Sequence, residues 1–240
     1  MAVNVITPLS WDTRFFGYPI AKIVLDSKAS GMLERLFKQL RDEKFMLAYV
    51  FANPDAKPIN DAIMRLGGVL IDQKVIFEKM TEAQAPVHHA VHEYRGTKVT
   101  DNLLRLVLQA GGHSRFRLDH HFTHNEYERL YAEWLRKSLS KAIALKTFVI
   151  KSGSQIAGLT TLGKKAGKAY IGLVAVDEQS RGLGLGSDLV HHADCVAQRL
   201  GFPRIQVVTQ LHNDGACRLY KKCGFQIANV TNVYHYWNLQ

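Results

Sequence analysis

The hexapeptide Arg181-Gly182-Leu183-Gly184-Leu185-Gly186 joins a strand-like run, Ala169 to Val176, to a helix-like run, Ser187 to Leu200. Glycines on alternate positions let the backbone take torsions that other residues resist, and let a ligand come close. A glycine-rich turn feeding a helix leaves N–H groups without intrahelical partners, aimed at one spot, which is an anion site. Arg181 at the entrance adds a fixed charge suited to phosphate. The plainer alternative is an ordinary tight turn, with Arg181 paired to Glu178 at the surface.

Before the loop, Ala144 to Ile150, Gln155 to Leu162 and Ala169 to Val176 read as three strands with glycine turns at Gly153 and Gly167, an antiparallel meander. After it, Leu185, Leu189, Ala193, Val196, Ala197 and Leu200 keep one helical face until Gly201 and Pro203 stop the helix. Arg204 to Gln210 reads as a strand, and Asn213 caps a short helix, Asp214 to Lys222, that Gly224 ends. Phe225 to Val230 and Tyr234 to Leu239 read as a closing strand pair.

In the first third, Asp12, Gly17 and Pro19 punctuate an aromatic segment that leads to an extended run, Ile20 to Leu25. Leu33, Leu36, Phe37 and Leu40 predict a helix capped by Ser30, and Phe45 to Phe51 a strand buried on both faces. Pro58 opens a helix that Gly67-Gly68 ends, and Val69 to Met80 is one strand or a hairpin turning near Asp72-Gln73. From Thr81 to Thr97 the periodicity lapses, as in a linker, which sets expected domains at residues 1–95 and 96–240. Further on, Thr123-His124-Asn125-Glu126 is a capping box, with Phe122 and Tyr127 as its hydrophobic staple. The order strand, short helix, glycine, strand pair occurs twice, over Leu47–Met80 and Ile205–Leu239.

The bulk numbers fit one large or two small globular domains: 240 residues, 47% hydrophobic, 22% charged. A net charge of +10 favours anionic partners, yet Lys and Arg are scattered without interleaved aromatics, so no nucleic-acid module is expected. No apolar run has membrane-spanning length and the first residues are not those of a signal peptide, so a cytoplasmic protein with no membrane partner is expected. Cys195, Cys217 and Cys223 lack metal-ligand spacing, and the histidine groups around His88 and His120 lack carboxylate or cysteine support, so no metal is expected.

Two other phosphate loops fail. Gly186-Ser187 has no lysine between them, as a Walker loop requires, and the loop follows a meander rather than opening a βαβ unit. The pattern instead resembles the cofactor signature of the GCN5-related N-acetyltransferases (GNAT), Arg-x-x-Gly-x-Gly. Asn213, Ala216, Leu219-Tyr220, Cys223 and Gly224-Phe225 resemble that family's second signature, Asn-x-x-Ala-x-x-Leu-Tyr-x-x-x-Gly-Phe. Trp11 to Gly17, Ser114-Arg115-Phe116, Asp119, Phe122, Leu130-Tyr131 and Trp134 resemble the branch that acetylates dTDP-linked amino-dideoxy sugars.

That resemblance implies an α/β (α+β) fold: a mixed, mostly antiparallel twisted sheet flanked by helices, with an N-terminal partial copy that agrees with the internal echo. It implies acetyl-CoA as cofactor, with Leu173, Val174 and Val176 along pantetheine and Gly182, Leu183, Gly184, Leu185, Gly186 and Ser187 giving N–H groups to the pyrophosphate. Arg181, Asn213 and Ala216 complete the cofactor set, and Tyr220 is the general acid that protonates the departing thiolate. Glu78 is the candidate base, with Asp72 and Asp119 competing, unless ordered water takes the proton. Ser114, Arg115 and Asp119 are expected to shape the pocket of a small-molecule acceptor, a dTDP-amino sugar used in surface-polysaccharide synthesis. The resemblance leaves room for a homodimer. A protein or peptide amine as acceptor, or a non-catalytic acyl-CoA-binding regulator, are the alternatives.

Overall fold

A computed structural model describes residues 3–83 and 87–239; Met1-Ala2 of the leader reading and Pro86 of the expected linker lie outside them. In chain order the elements are β1 (Ile6–Pro8), α1 (Ser10–Phe16), β2 (Ile20–Val24), α2 (Leu33–Asp42), β3 (Leu47–Ala52), α3 (Lys57–Arg65), β4 (Val69–Met80), β5 (His92–Glu93) and α4 (Asp101–Ala110). They continue with α5 (Arg115–Leu118), α6 (Glu126–Leu139), β6 (Lys146–Ser152), β7 (Gln155–Lys165), β8 (Lys168–Val176), α7 (Leu185–Arg199), β9 (Arg204–Gln210), α8 (Asp214–Lys222) and β10 (Gln226–Trp237).

The chain divides into two compact units, Met1–Lys74 with Val230–Gln240, and Val75–Asn229. This differs from a break at residue 95, because the stretch read as a linker is bonded into the second unit. Thr81 donates from its N–H to Pro203 O at 3.1 Å, and β5 pairs antiparallel with β6. The buried carboxylate of Asp188 accepts hydrogen bonds from the backbone N–H groups of His88 and His89.

In the first unit β1 and β2 are antiparallel, β2 and β3 parallel, and β3 and β10 antiparallel. Its core sets Leu33, Leu36, Phe37 and Leu40 of α2 against Ile23, Val50, Ile63, Tyr234 and Tyr236. The helical spacing read from the sequence holds, but Ser30 lies in a 3-10 turn and makes no cap; α2 starts after Met32 without a side-chain cap. The segment around Asp12 is helical as α1, closed by Gly17 in the left-handed region at φ 89°.

Two polar stretches that suggested turns stay within strands. Asp72-Gln73 lies inside the single strand β4, and residues 231–233 lie inside the single strand β10. Gln73 and Asn232 are satisfied sideways. Gln73 donates to Asn232 Oδ1 at 2.9 Å, while Asn232 and Tyr234 both donate to Asn60 Oδ1, at 3.1 and 2.8 Å. A satisfied buried network needs no turn. The echo is therefore plain in the elements: β3, α3 and β4 have 6, 9 and 12 residues, and β9, α8 and β10 have 7, 9 and 12.

The second unit holds the antiparallel meander β6–β7–β8, with Gly153 and Gly167 in the left-handed region at its turns. β9 joins β8 in parallel, and α4 and α7 pack on β7 and β8. The result is the mixed sheet flanked by helices that the sequence leads one to expect. The capping box is shifted: α6 starts at Glu126 after Asn125 at φ 56°, and Glu126 accepts from the N–H of His124 at 2.6 Å, not of Thr123.

Glu78 of β4 is held by cations. Its carboxylate accepts from Lys168 of β8 and from Gln206 and Arg204 of β9, the last at 2.7 Å. The Lys168 bond, opposed by burial and helped by Gln206 and Arg204, keeps its carboxyl below the usual value. That setting keeps the carboxylate ionised.

Two stability predictions follow from these contacts. A Cβ on Gly68 would lie 2.5 Å from Cγ2 of the buried Ile63 and 3.1 Å from its carbonyl, so Gly68→Ala should cost about 1–3 kcal/mol in urea unfolding. Because Glu78 titrates lower in the folded state, its contribution is complete above the unfolded pKa of about 4.3 and is lost as pH falls through the folded value. Glu78→Gln should be less stable than wild type by about 1 kcal/mol near pH 7, with the gap closing toward pH ~3.

Candidate active site

The parallel pairing of β8 with β9 covers only Ala169–Ile171 and Ile205–Val207. Beyond it the strands part, although β8 runs on to Val176 and β9 to Gln210. A cleft of about 680 Å³ opens there. It is lined by Val174 and Val176 of β8, the loop from Ser180 to Ser187 apart from Leu183, the α8 face with Asn213, Ala216, Leu219 and Tyr220, and Gln109, Ala110 and His113.

The other edge of β8 is held by β7. β7 carries an irregularity between Thr160 and Leu162. There Thr161 Oγ1 accepts from the N–H of Leu173 at 2.9 Å, and Thr160 Oγ1 donates to the Leu173 carbonyl at 3.0 Å. Gly172 makes room for this, since a Cβ would lie 2.9 Å from Thr161 Oγ1. Both backbone groups of Leu173 are thus committed to β7, and Leu173 is not among the residues that line the cleft.

The glycine loop has the shape its sequence predicts. Gly182 and Gly184 have φ of 84° and 86°, left-handed values that favour glycine. α7 starts at Leu185 without a side-chain cap, so the first-turn N–H groups of Leu185, Gly186 and Ser187 have no intrahelical partner and face the cleft. Gly186 lets the helix meet its neighbour: a Cβ would lie 3.2 Å from Leu219 Cδ2. Ser187 is hydrogen-bonded to the Cys223 thiol, which ties this turn to the end of α8. Leu183 is 62% exposed and is not part of the lining. Arg181 makes no ion pair among the described residues, with Glu178 or otherwise, and faces the cleft.

Asn213 caps α8, its Oδ1 accepting from the N–H of Ala216 at 3.2 Å. Two turns on, Tyr220 is 5% exposed, packed against Phe77 and Phe225, with ring centroids 5.7 and 6.1 Å away. Nothing among the described residues hydrogen-bonds its hydroxyl. Burial, and then Tyr170, Cys223 and Cys217, push the phenol above its ordinary value, so it holds its proton throughout the neutral range.

The expected acceptor residues lie elsewhere. Ser114 is buried and caps α5, accepting from the N–H of Phe116 at 3.4 Å, and Arg115 lies over the Phe116 ring at 4.6 Å. Asp119 is 1% exposed and accepts from His121 at both its backbone N–H and Nδ1. They build a turn, and none lines the cleft. The turn does supply the carboxylate missing from the histidine run: donor atoms of Asp119, His120 and His121 lie within 4.8 Å of one another. Neither Glu78 nor Asp72 lines the cleft.

Gly215, Arg218, Leu219 and Lys222 also line it and were not foreseen, although they follow Asn213 at the spacing of one helix face. Gln109, Ala110 and His113 had no motif to reveal them. The lining residues are donors, cations and apolar groups, with no carboxylate among the described ones. That set, with glycines where a Cβ would intrude, fits a long ligand carrying phosphates. No helix among the described residues is long and apolar enough to cross a membrane.

Residues 113–225 match the acetyltransferase (GNAT) family. Over 97% of its length the chain is 26% identical to dTDP-fucosamine acetyltransferase of Escherichia coli O6:H1, covering 96% of that protein. It is 25% identical to the spore coat polysaccharide biosynthesis protein SpsD of Bacillus subtilis over 58% of this chain and 47% of that one. The fold is similar to that of a GCN5-related N-acetyltransferase from Sphaerobacter thermophilus, with a TM-score of 0.60 over 91% of this chain and 73% of that one at 15% identity. The parted strands, the glycine cradle and the family match converge on the same residues: the chain carries a GNAT-family N-acetyltransferase domain, and its cofactor is acetyl-CoA.

Proposed function

We propose that the cleft acetylates the amino group of a dTDP-linked amino-dideoxy sugar, in the assembly of a surface polysaccharide. The observation that carries this reading is the likeness to dTDP-fucosamine acetyltransferase, which runs through both units and is not confined to the cofactor motifs. Acetyl-CoA, when bound, supplies a thioester whose acetyl carbon is open to attack by a neutral amine. The chain supplies the rest. First-turn N–H groups of α7 and the Arg181 guanidinium hold phosphate, the unpaired edge of β8 at Val174 and Val176 receives an extended arm, and Asn213 fixes the start of α8.

Tyr220 holds a proton at its hydroxyl oxygen for the departing sulfur. Its burial keeps the phenol neutral, and its oxygen has no protein partner among the described residues to draw the hydrogen away. Leaving-group protonation by a placed acid contributes about 10²–10⁴-fold.

Tyr220→Phe should fold as wild type by circular dichroism, bind CoA within roughly threefold, and lose about 10²-fold or more of kcat in thiol release with dTDP-fucosamine. Near-wild-type turnover would remove Tyr220 from the mechanism. Since the phenol is raised above about 10, wild-type activity should show no fall between pH 8 and pH 9.5 from its ionisation. Thiol release with peptide amines alone would overturn the sugar reading.

A further inference from the structure

An acceptor amine arrives as an ammonium ion at neutral pH and must give up a proton before it attacks; where a side chain rather than water takes it, that side chain lines the cleft. The lining side chains narrow the choice. Arg181, Arg218 and Lys222 are already protonated, Tyr220 holds its proton, and no Asp or Glu lines the cleft among the described residues. Serine hydroxyls and the amides of Gln109 and Asn213 are not bases in water. One lining side chain has a ring nitrogen with a lone pair that can accept a proton, and that is His113.

We propose that His113 is the general base of the reaction. The imidazole lines the cleft beside the start of α8, its ring centroid 5.3 Å from that of His212, at the end of a turn with little freedom. The N–H of Ser114 closes that turn on the Gly111 carbonyl at 2.8 Å. Gly111 itself is enclosed: a Cβ there would lie 2.5 Å from the Tyr127 hydroxyl and from the Tyr131 ring. The Tyr127 hydroxyl donates to the Leu108 carbonyl and so fixes the last turn of α4. A base must be positioned before it is useful, and this turn positions it.

The charged and titratable groups that line the cleft with the imidazole are Arg181, Arg218, Lys222 and Tyr220, with Arg115 and Arg117 following in its own chain segment. His212 is beside it, ring centroids 5.3 Å apart, but outside the lining. In the step, one N–H bond of the ammonium breaks, its electron pair stays on the amine nitrogen, and the proton forms a bond to the unprotonated ring nitrogen of His113. The ring is exposed, so water takes that proton and returns the base for the next turnover.

The proposal rests on the N-acetyltransferase reading of the cleft, and the test separates the two. Thiol release is followed with acetyl-CoA and dTDP-fucosamine, and with a panel of simpler amines, for wild type, His113→Gln, His113→Ala and His212→Gln. The expected result for His113→Gln is a loss of about 10²-fold in kcat/KM for the amine near pH 7. That gap should narrow as pH rises and the amine loses its proton in bulk water, with the acetyl-CoA KM within roughly threefold of wild type. Added imidazole should restore part of the His113→Ala rate, and His212→Gln should stay within roughly threefold of wild type. A His113→Gln enzyme within roughly threefold of wild type near pH 7, or one equally impaired at every pH and unanswered by imidazole, overturns the assignment while leaving the cofactor reading intact. A wild-type enzyme that releases no thiol with any amine overturns the reading beneath it, and the assignment with it.

Discussion

Everything at the site depends on two strands that stop pairing. β8 and β9 share three residue pairs and then diverge, leaving peptide groups of β8 beyond Ile171 without a neighbouring strand on that side. Each backbone bond not formed gives up about 0.5–1.5 kcal/mol. The fold tolerates this because the other side of β8 is held firmly. Threonine hydroxyls at the β7 irregularity take both backbone groups of Leu173, and Gly172 leaves room for one of them. A strand secured on one edge can remain open on the other, and the open edge is solvated until an extended ligand lies along it.

The electrostatics of the cleft follow from where the acids are occupied. Asp177, next to Val176, caps a 3-10 turn and pairs with Arg105 at 2.8 Å. Asp188, in the first turn of α7, is buried and bonded to His88 and His89, and Asp194 pairs with the buried Lys79 at 3.0 Å. Asp188 would otherwise oppose an anion at the helix start. Burial raises its pKa, but the hydrogen bonds from His89 and from the two backbone N–H groups outweigh that, so it stays ionised, turned toward the chain that it anchors. Carboxylates are thus present around the cleft without lining it, and the cations Arg181, Arg218 and Lys222 act there unopposed.

Much of this was legible in the residues, and the gaps have physical reasons. The glycine loop and the Asn213 cap are local structures whose torsions and hydrogen bonds lie within a few residues, so Gly182, Gly184 and Ala216 fall where the pattern puts them. The meander was legible through period-two runs and its two glycine turns. The single strands β4 and β10 were not, because Asn232 and Gln73 look like turn residues until the partner that satisfies each is known, and that partner is far away in sequence. The ion pairs of Glu78 were hidden for the same reason: Lys168 and Arg204 reach it from strands 90 and 126 residues away. His113 belongs to no motif, and only the packing of its turn puts it on a wall of the cleft.

In the mechanism proposed above, one group gives up a proton late and another takes one early, and the two residues assigned to these tasks differ in solvent access, Tyr220 buried and His113 exposed. Tyr220 sits where water does not compete, its phenol kept neutral by burial, so the proton is available only to an acceptor placed against its oxygen. His113 sits where water reaches it, so a captured proton does not remain to block the next amine. Reversing the two environments would disable both: an exposed phenol would exchange with solvent, and a buried imidazolium among Arg181, Arg218 and Lys222 would repel the very ammonium it is meant to receive.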